Sequence, residues 1–328
     1  MEQRSISVVI CTYNNANLLD RTLAALEKQQ VDETLDWSVL VVDNNSTDGT
    51  LHVVQRYSER GLIPGLASVR ETQQGLGFAR RRAIVETKGA LIAFVDDDCL
   101  VAANWVQQAM VFAEAHPLVG AFGGQVQLVW DVKPSDVAIR AGGLLAAQQL
   151  GDNPLQLPAT GFTYLVGAGL VVRRTAIESS GWTEHFALID RRGRSLSSGG
   201  DVEMVLRIRN AGYELWYNSA MQLEHFIPRE RATLLYLCHV SRGTSHSTFL
   251  LSTLAENKAP TTRDRFVELV KCVKILTRSL LGLIIRDMIV KRRIPPDRWI
   301  TIYSSLGLLE AAFRALPGDT KIYVGPVR

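Results

Sequence analysis

The feature that most constrains the fold is an alternation, over the first 130 residues, of short β-branched apolar runs with segments of helical spacing. Runs at 6–11, 37–42, 66–69, 91–95 and 119–129 have the length and composition of buried strands. Between them, 18–30, 50–60, 77–86 and 105–116 carry the helical pattern. Strands separated by helices of this length pair in parallel through right-handed crossovers, and the helices then cover both sheet faces. The pattern predicts an α/β fold with a mostly parallel sheet. Asn45-Ser46-Thr47-Asp48-Gly49 reads as a turn into the second helix, with Asp48 as its N-cap.

The middle of the chain is less regular. A helix is expected over 133–150, a loop with Pro154 and Pro158 over 151–160, and a strand over 165–172. The stretch 190–200 is polar and glycine-rich; a helix over 201–211 and a strand over 213–217 follow. The last third is helical. Between Thr261 and Arg298 stand ten basic and four acidic residues, a local +6 against +3 for all 328 residues. Lys271, Lys274, Arg278 and Arg286 fall on one helical side, with Val270, Val273, Leu276, Leu280, Leu283 and Ile284 mostly opposite. That pattern suits a helix lying on an anionic membrane surface, and equally one docked on the enzyme body with its basic face in water. The uncharged runs 279–285 and 299–309 fall far short of the ~18 residues that would span a bilayer. The expected division is therefore a unit over 1–250, with halves meeting near 130, and a helical region over 251–328.

Composition narrows the classes. With 47% hydrophobic and 21% charged residues the chain can bury a sizeable core, which excludes disorder and low complexity. The overall charge is too small to imply a nucleic-acid partner. Cys11, Cys99, Cys238 and Cys272 form no metal-knuckle or disulfide spacing, and the short apolar run at the start has no cleavage signature. A cytoplasmic protein, at most peripheral on the inner face of the plasma membrane, is expected.

Carboxylates stand where strands end: Asp43 after the second, and Asp96, Asp97 and Asp98 after the fourth. Ligands of open α/β sheets bind at that edge. Adjacent carboxylates repel unless a cation relieves them, and a hard divalent ion such as Mg²⁺ or Mn²⁺ is the natural one. Strand alternation would turn Asp96 and Asp98 one way and Asp97 the other. Gly75-Leu76-Gly77 opens a helix carrying Arg80, Arg81 and Arg82, a setting that favours an anion, with Arg80 nearest the helix start. Asp201 enters its helix behind Gly199-Gly200, either as an N-cap or as a general base. His225 is a packed residue or a metal ligand.

These segments bring a family into view. Val9-Ile10-Cys11-Thr12-Tyr13-Asn14, 41–50, 75–82 and Phe94-Val95-Asp96-Asp97-Asp98 resemble, in order and spacing, family 2 glycosyltransferases of the GT-A fold. The likeness continues through 167–174, Gly181-Trp182, Gly200-Asp201-Val202-Glu203, Arg207, Gly212-Tyr213 and His225, to about residue 245. The resemblance implies an inverting, nucleotide-sugar-dependent and metal-dependent transferase, with a UDP-sugar favoured and a saccharide or lipid-linked acceptor. It implies that Asp43, Thr12, Tyr13 and Asn14 line the nucleoside pocket, and that Asp96 and Asp97 lie beside the ribose and cation. Arg80 would face the nucleotide and Arg242 the diphosphate. Asp98, with His225, would hold Mn²⁺ or Mg²⁺, and Asp201 would act as the base. Two positions depart from the family pattern. Gly200-Asp201 stands where Glu-Asp is frequent, and Gly167-Ala168-Gly169 where Gly-Ala-Asn is frequent; both bear on acceptor preference. A sugar nucleotidyltransferase would open with a glycine-rich phosphate loop, which Cys11-Thr12-Tyr13-Asn14-Asn15 is not. A non-catalytic nucleotide-sugar module would be expected to lack Asp98 or Asp201, and both are present.

Overall fold

The computed structural model describes residues 4–192, 196–257, 262–281 and 295–314. Residues 193–195 of the glycine-rich stretch and 282–294 of the basic region, including Leu283, Ile284 and Arg286, lie outside the described residues.

Strand β1 (Ser5–Thr12) runs between β2 (Asp36–Asp43) and β4 (Leu91–Phe94), and β3 (Ala67–Arg70) lies outside β2; all these pairs are parallel. Helices α1 (Ala16–Leu26), α2 (Thr50–Arg60), α3 (Leu76–Glu86) and α4 (Trp105–Ala115) make the crossovers. Side chains of β1 alternate between two cores. Ile6, Val8 and Ile10 pack with Leu19, Leu23, Val54 and Trp105 on the α1/α2/α4 side, and Val9 packs with Ala79, Ala83 and Ile208 on the other. Each such aliphatic side chain taken from water contributes about 1.5–3 kcal/mol, so burial on both faces fixes the strand and its register. The N-cap of α2 is Gly49 and not Asp48 as expected; Asp48 stands one residue further out, its Oδ1 accepting the Thr50 amide (3.1 Å) and its Oδ2 the Ala16 amide at the start of α1 (3.0 Å).

Beyond β4 the parallel arrangement gives way. The sheet continues through β8 (Val171–Arg173), antiparallel to both β4 and β6 (Val119–Trp130), and then through β9 (Glu214–Ile227), parallel to β6. Short strands β5 (Cys99–Val101) and β7 (Leu155–Gln156) pair antiparallel with β9. The expected strand over 165–172 reduces to β8, because Gly169 takes a φ of 76° and 165–168 bend along the sheet edge. The helix expected over 133–150 is only α5 (Asp136–Arg140) and a 3₁₀ turn at Gly142–Leu145. Gly142-Gly143 weakens the helix there, and Ala146, at a φ of 65°, ends the turn. The strand expected over 213–217 instead runs on to Ile227. Helices α6 (Arg174–Ser179) and α7 (Gly200–Asn210) cover the second face.

The C-terminal helices are α8 (Leu234–Ala255), α9 (Thr262–Leu281) and α10 (Pro296–Arg314). Leu237 of α8 packs with Val137, Leu145 and Ile227, while Leu251 and Ala255 pack with Leu206 of α7. The boundary placed at 250 therefore falls inside a helix seated on the sheet domain. α10 lies along α8, joined by a Ser245–Ser304 hydrogen bond of 2.7 Å, and α9 packs on α10. Among the described residues, no helix is long and apolar enough to cross a membrane.

Candidate active site

A cleft of about 740 Å³ opens at the C-terminal edge of β1, β2 and β4. Cys11, Thr12, Tyr13, Asn44, Gln74, Arg80, Asp96, Asp97 and Asp98 form one wall; 165–168, Asp190, Arg191, Asp201 and Thr248 form the other.

The acidic run follows β4 after Val95 and turns back on itself, the Cys99 amide donating to the Asp96 carbonyl at 3.0 Å. It is a turn, so the alternation expected of a strand does not apply, and all three carboxylates line the cleft. Asp97 accepts the Thr12 hydroxyl (2.6 Å) and the Asn15 side-chain amide (2.8 Å). Burial and the neighbouring Asp98 push its carboxyl up to about 7 against those two donors. Burial and Asp98 likewise raise Asp96, with Arg80 and His225 opposing. Asp98 is the ionised member: burial acts to raise it, but His225 and Arg231 hold it well below the usual carboxylate range.

His225 reaches Asp98 through strand pairing. Cys99 of β5 is in register with His225 of β9, which sets the imidazole Nε2 3.2 Å from Asp98 Oδ1. Arg231 Nη1 lies 2.7 Å from the other oxygen. Asp98, Cys99 and His225 each bring one donor atom within 4.8 Å of the others. Burial keeps the Cys99 thiol far above its ordinary titration range, so the donors on offer are carboxylate oxygen and imidazole nitrogen. That pair fits Mn²⁺ or Mg²⁺. The histidine's Nδ1 is buried with no hydrogen-bond partner among the described residues. Burial lowers its proton affinity, and the Asp98 carboxylate more than compensates.

Of the three arginines on α3, only Arg80 turns into the cleft. Its Nη1 pairs with Asp190 Oδ2 at 2.8 Å, both side chains being buried. Arg82 instead pairs with Glu86 along the helix, and Arg81 is exposed. The helix start does not offer its amides to a ligand. Gly75 donates to Asn44 Oδ1 (2.8 Å), Leu76 to the Arg191 carbonyl (3.2 Å) and Gly77 to the Ile189 carbonyl (3.0 Å). Positive charge here comes from side chains, chiefly Arg80 and Arg191.

Asp201 sits in the first turn of α7. Its Oδ1 accepts the Val202 amide (2.9 Å), and its Oδ2 accepts the amide of Gly167 across the cleft (2.7 Å). A Cβ on Gly167 would lie 2.7 Å from Arg80 Nη2 and 2.8 Å from Asp201 Oδ2, so glycine lets guanidinium and carboxylate close on the same point.

Three expected site residues lie elsewhere. Asn14, at a φ of 51°, accepts the Thr47 amide at 2.7 Å and receives no place on the cleft wall; it holds the 45–48 turn. Asp43 lies behind Asn44, fully buried, with Oδ1 on the Ser46 amide (2.8 Å) and Oδ2 unpartnered among the described residues. Arg242 is directed away from the cleft, its guanidinium paired with Glu310 of α10. This ion pair joins α8 to α10 at the residue expected near the diphosphate. Conversely, Asn44, Asp190, Arg191 and Arg231 stand in the site without having been singled out. Asn44 had a signal, its place beside Asp43 at a strand end. The other three lie in irregular segments where no spacing marks them.

Five carboxylates, a histidine and four arginines thus line one cleft at this sheet edge. The family model for glycosyl transferase family 2 matches residues 7–180. The chain belongs to that family. The glycosyltransferase AglE of Haloferax volcanii is 29% identical over 215 residues, 65% of this chain and 64% of its own length. The poly(ribitol-phosphate) β-N-acetylglucosaminyltransferase TarS of Staphylococcus aureus is 31% identical over 110 residues, 34% of this chain and 19% of its own length. The chain thus spans less than two thirds of the length of these relatives. Among solved structures, TarS 1–349 of S. aureus in complex with UDP-GlcNAc has a TM-score of 0.56 at 15% identity, covering 96% of this chain and 92% of that one. The mannosyltransferase PcManGT of Pyrobaculum calidifontis, in complex with GDP-Man and Mn²⁺, has a TM-score of 0.57 at 18% identity, covering 96% and 87%. At such identities these are likenesses of fold, and the fold is GT-A.

Proposed function

We propose that this protein is an inverting glycosyltransferase that moves a sugar from a nucleotide-diphosphate donor, a UDP-sugar being favoured, to a hydroxyl of a saccharide or lipid-linked acceptor in cell-surface polysaccharide or glycolipid synthesis. The observation that carries this reading is that Asp201, Arg80 and the Asp96–Asp98 turn face one another across a single cleft. The UDP-GlcNAc and GDP-Man held by the structural relatives support the donor class.

Thr12, Tyr13, Asn44 and Gln74 bound the nucleoside end of the cleft. Asp43, buried behind them, would act on this end of the cleft through the Ser46 amide that its Oδ1 accepts, not by touching the nucleoside. Asp98 and His225 would hold a divalent cation, which when bound supplies positive charge to the diphosphate. Arg80 and Arg191 offer further positive charge toward the developing leaving group. Asp201 takes the proton of the attacking acceptor hydroxyl, and the Gly167 amide holds its carboxylate in place. A single displacement on the face opposite the leaving group inverts the anomeric centre. Phe162 and Tyr164, half exposed with ring centroids 6.3 Å apart, flank the cleft on the acceptor side.

The same reading places the protein in the cytoplasm, peripheral on the inner face of the plasma membrane. α9 supports this: Phe266, Val270, Val273 and Leu280 form an exposed apolar stripe, with Arg263, Lys271, Lys274 and Arg278 exposed beside it. Salt-sensitive co-sedimentation with anionic liposomes is the expected result; equal recovery with neutral liposomes would remove the membrane assignment. For the donor, titration calorimetry with UDP, GDP and dTDP, each with Mn²⁺ and again with EDTA, is expected to show metal-dependent selection of one nucleotide. Binding of none by folded protein would refute the donor-site reading.

A further inference from the structure

Segment 186–191 links the two helices that carry the charged groups of the cleft. The amides of Leu76 and Gly77 seat it on the start of α3 through the carbonyls of Arg191 and Ile189. The fully buried carboxylate of Glu203 seats it on α7, accepting the amides of Ala187 (2.9 and 3.0 Å) and Leu188 (2.8 Å). Between these anchorages Asp190 takes a φ of 62°, the left-handed region that aspartate tolerates better than most residues. Its side chain then points inward. Oδ1 accepts the Gly200 amide at 2.6 Å, and Oδ2 accepts Arg80 Nη1 at 2.8 Å.

Position 200 is where space decides the matter. A Cβ there would lie 2.4 Å from Asp190 Oδ2 and 2.8 Å from its Cγ, well inside van der Waals contact. The backbone of Gly200 is helical and would accept any side chain, and the three atoms nearest to that Cβ all belong to the Asp190 carboxylate. That carboxylate fills the room of a side chain at position 200, next to the base. The departure from Glu-Asp at Gly200-Asp201 thus leaves no carboxyl group missing: it arrives from ten residues earlier in the chain.

We propose that Asp190 is a positioning residue that stands in for an acidic side chain at position 200, holding Arg80 and the first turn of α7 so that the guanidinium is shared between Asp190 and Asp201. This rests on the reading of Asp201 as the base. With Asp190 in place, Arg80 is anchored from behind and leaves the Asp201 carboxylate free to receive a proton. Without it the guanidinium turns wholly to Asp201 and occupies the acceptor atoms the reaction needs.

The test moves the carboxylate. Asp190→Asn, Asp190→Ala, Gly200→Glu and Asp190→Ala/Gly200→Glu are compared in the full chain with Mn²⁺, by nucleotide release from UDP-N-acetylglucosamine and GDP-mannose and by melting temperature. Asp190→Asn is expected to stay folded and lose about 10-fold to 100-fold in kcat, with donor KM little changed. Gly200→Glu alone melts lower, because two carboxylates contest one space. The double variant recovers melting temperature over Gly200→Glu and kcat over Asp190→Ala, a rescue that loss of packing would not produce. Wild-type kcat in Asp190→Asn overturns the proposal, as does a folded double variant no faster than Asp190→Ala. A double variant melting no higher than Gly200→Glu overturns it without any activity measurement. Asp201→Asn in the same assay separates the two readings. Wild-type turnover there removes the base, whereas an inactive Asp201→Asn beside a fully active Asp190→Asn removes only the role given to Asp190.

Discussion

The two walls of the cleft are built by different means. On the donor wall, Thr12 and Asp96–Asp98 sit where parallel strands stop, with Asp43 buried behind them, and each is placed by the register of β1 with β2 and β4. On the opposite wall Asp201 owes its place to contacts far apart in sequence. Gly167 holds its carboxylate, Gln148 holds the Val166 amide (3.2 Å), and Glu203 holds 187–188. The first wall inherits its rigidity from a sheet buried on both faces. The second is irregular backbone whose amides are satisfied one by one by buried side chains. A binding surface can be laid on strand ends, but a base that must meet an acceptor has to be brought over from another part of the chain.

The largest break of this contrast is chemical. Asp201→Asn is expected to fold and bind nucleotide yet lose about 10²–10⁴ in transfer, measured as single-turnover rate beside nucleotide affinity. Next comes the scaffold of the second wall. Glu203→Ala strips two amides and Arg207 of their buried acceptor, and should cost about 3 kcal/mol in denaturant unfolding. Its turnover should fall by more than its nucleotide affinity, because only the Asp201 side is loosened. The matching break of the donor wall is Asn44→Ala, which removes the acceptor for Gly75 and the donor to the Glu71 (3.1 Å) and Gln73 (2.8 Å) carbonyls. A loss of about 1–3 kcal/mol is expected, with nucleotide affinity falling more than turnover. If both variants change affinity and turnover alike, the two walls are one unit.

The smallest effect is a pH dependence. Burial pushes the Asp190 carboxyl up to about 7, with Arg80 opposing and Asp201 and Glu203 adding to the rise. Between pH 4 and 7 the folded protein therefore keeps a proton that an unfolded chain, titrating near 3.8, has lost. This group's contribution to stability is full below that lower value and is lost as pH rises toward 7. Asp190→Asn, which has nothing to titrate, should gain melting temperature relative to wild type from pH 4.5 to 7.5. A constant difference across that range would place the residue's ionisation elsewhere.

Much of the donor wall was legible in the sequence. A strand's hydrophobic run ends where its burial ends, so the polar residues that follow mark the sheet edge; Asp43 and Asp96–Asp98 were found in this way. The misreadings share a cause. Helical or strand character was assigned to 133–150 and 165–172 from composition, whereas glycines and long-range partners such as Gln148 set their paths. For Arg242, motif order gives a place along the chain and no direction. Its direction is set by Glu310, nearly seventy residues away on α10, which no local pattern announces.

By itself the sequence determined the alternating α/β architecture, the sheet edge that carries the carboxylates, and the helix that begins with Asp201. These depend on periodicity and on local backbone preference, which neighbouring residues suffice to express. The tertiary structure alone decided that His225 and Arg231 share Asp98 and that Asp190 fills the space at Gly200. It also decided that Arg80 is the arginine facing Asp201. Those arrangements arise where segments are packed together by the fold, most of them more than a hundred residues apart and Asp190 and Gly200 across an irregular stretch of ten, and where a charge taken from water has to find its partner among whatever the fold has brought within reach.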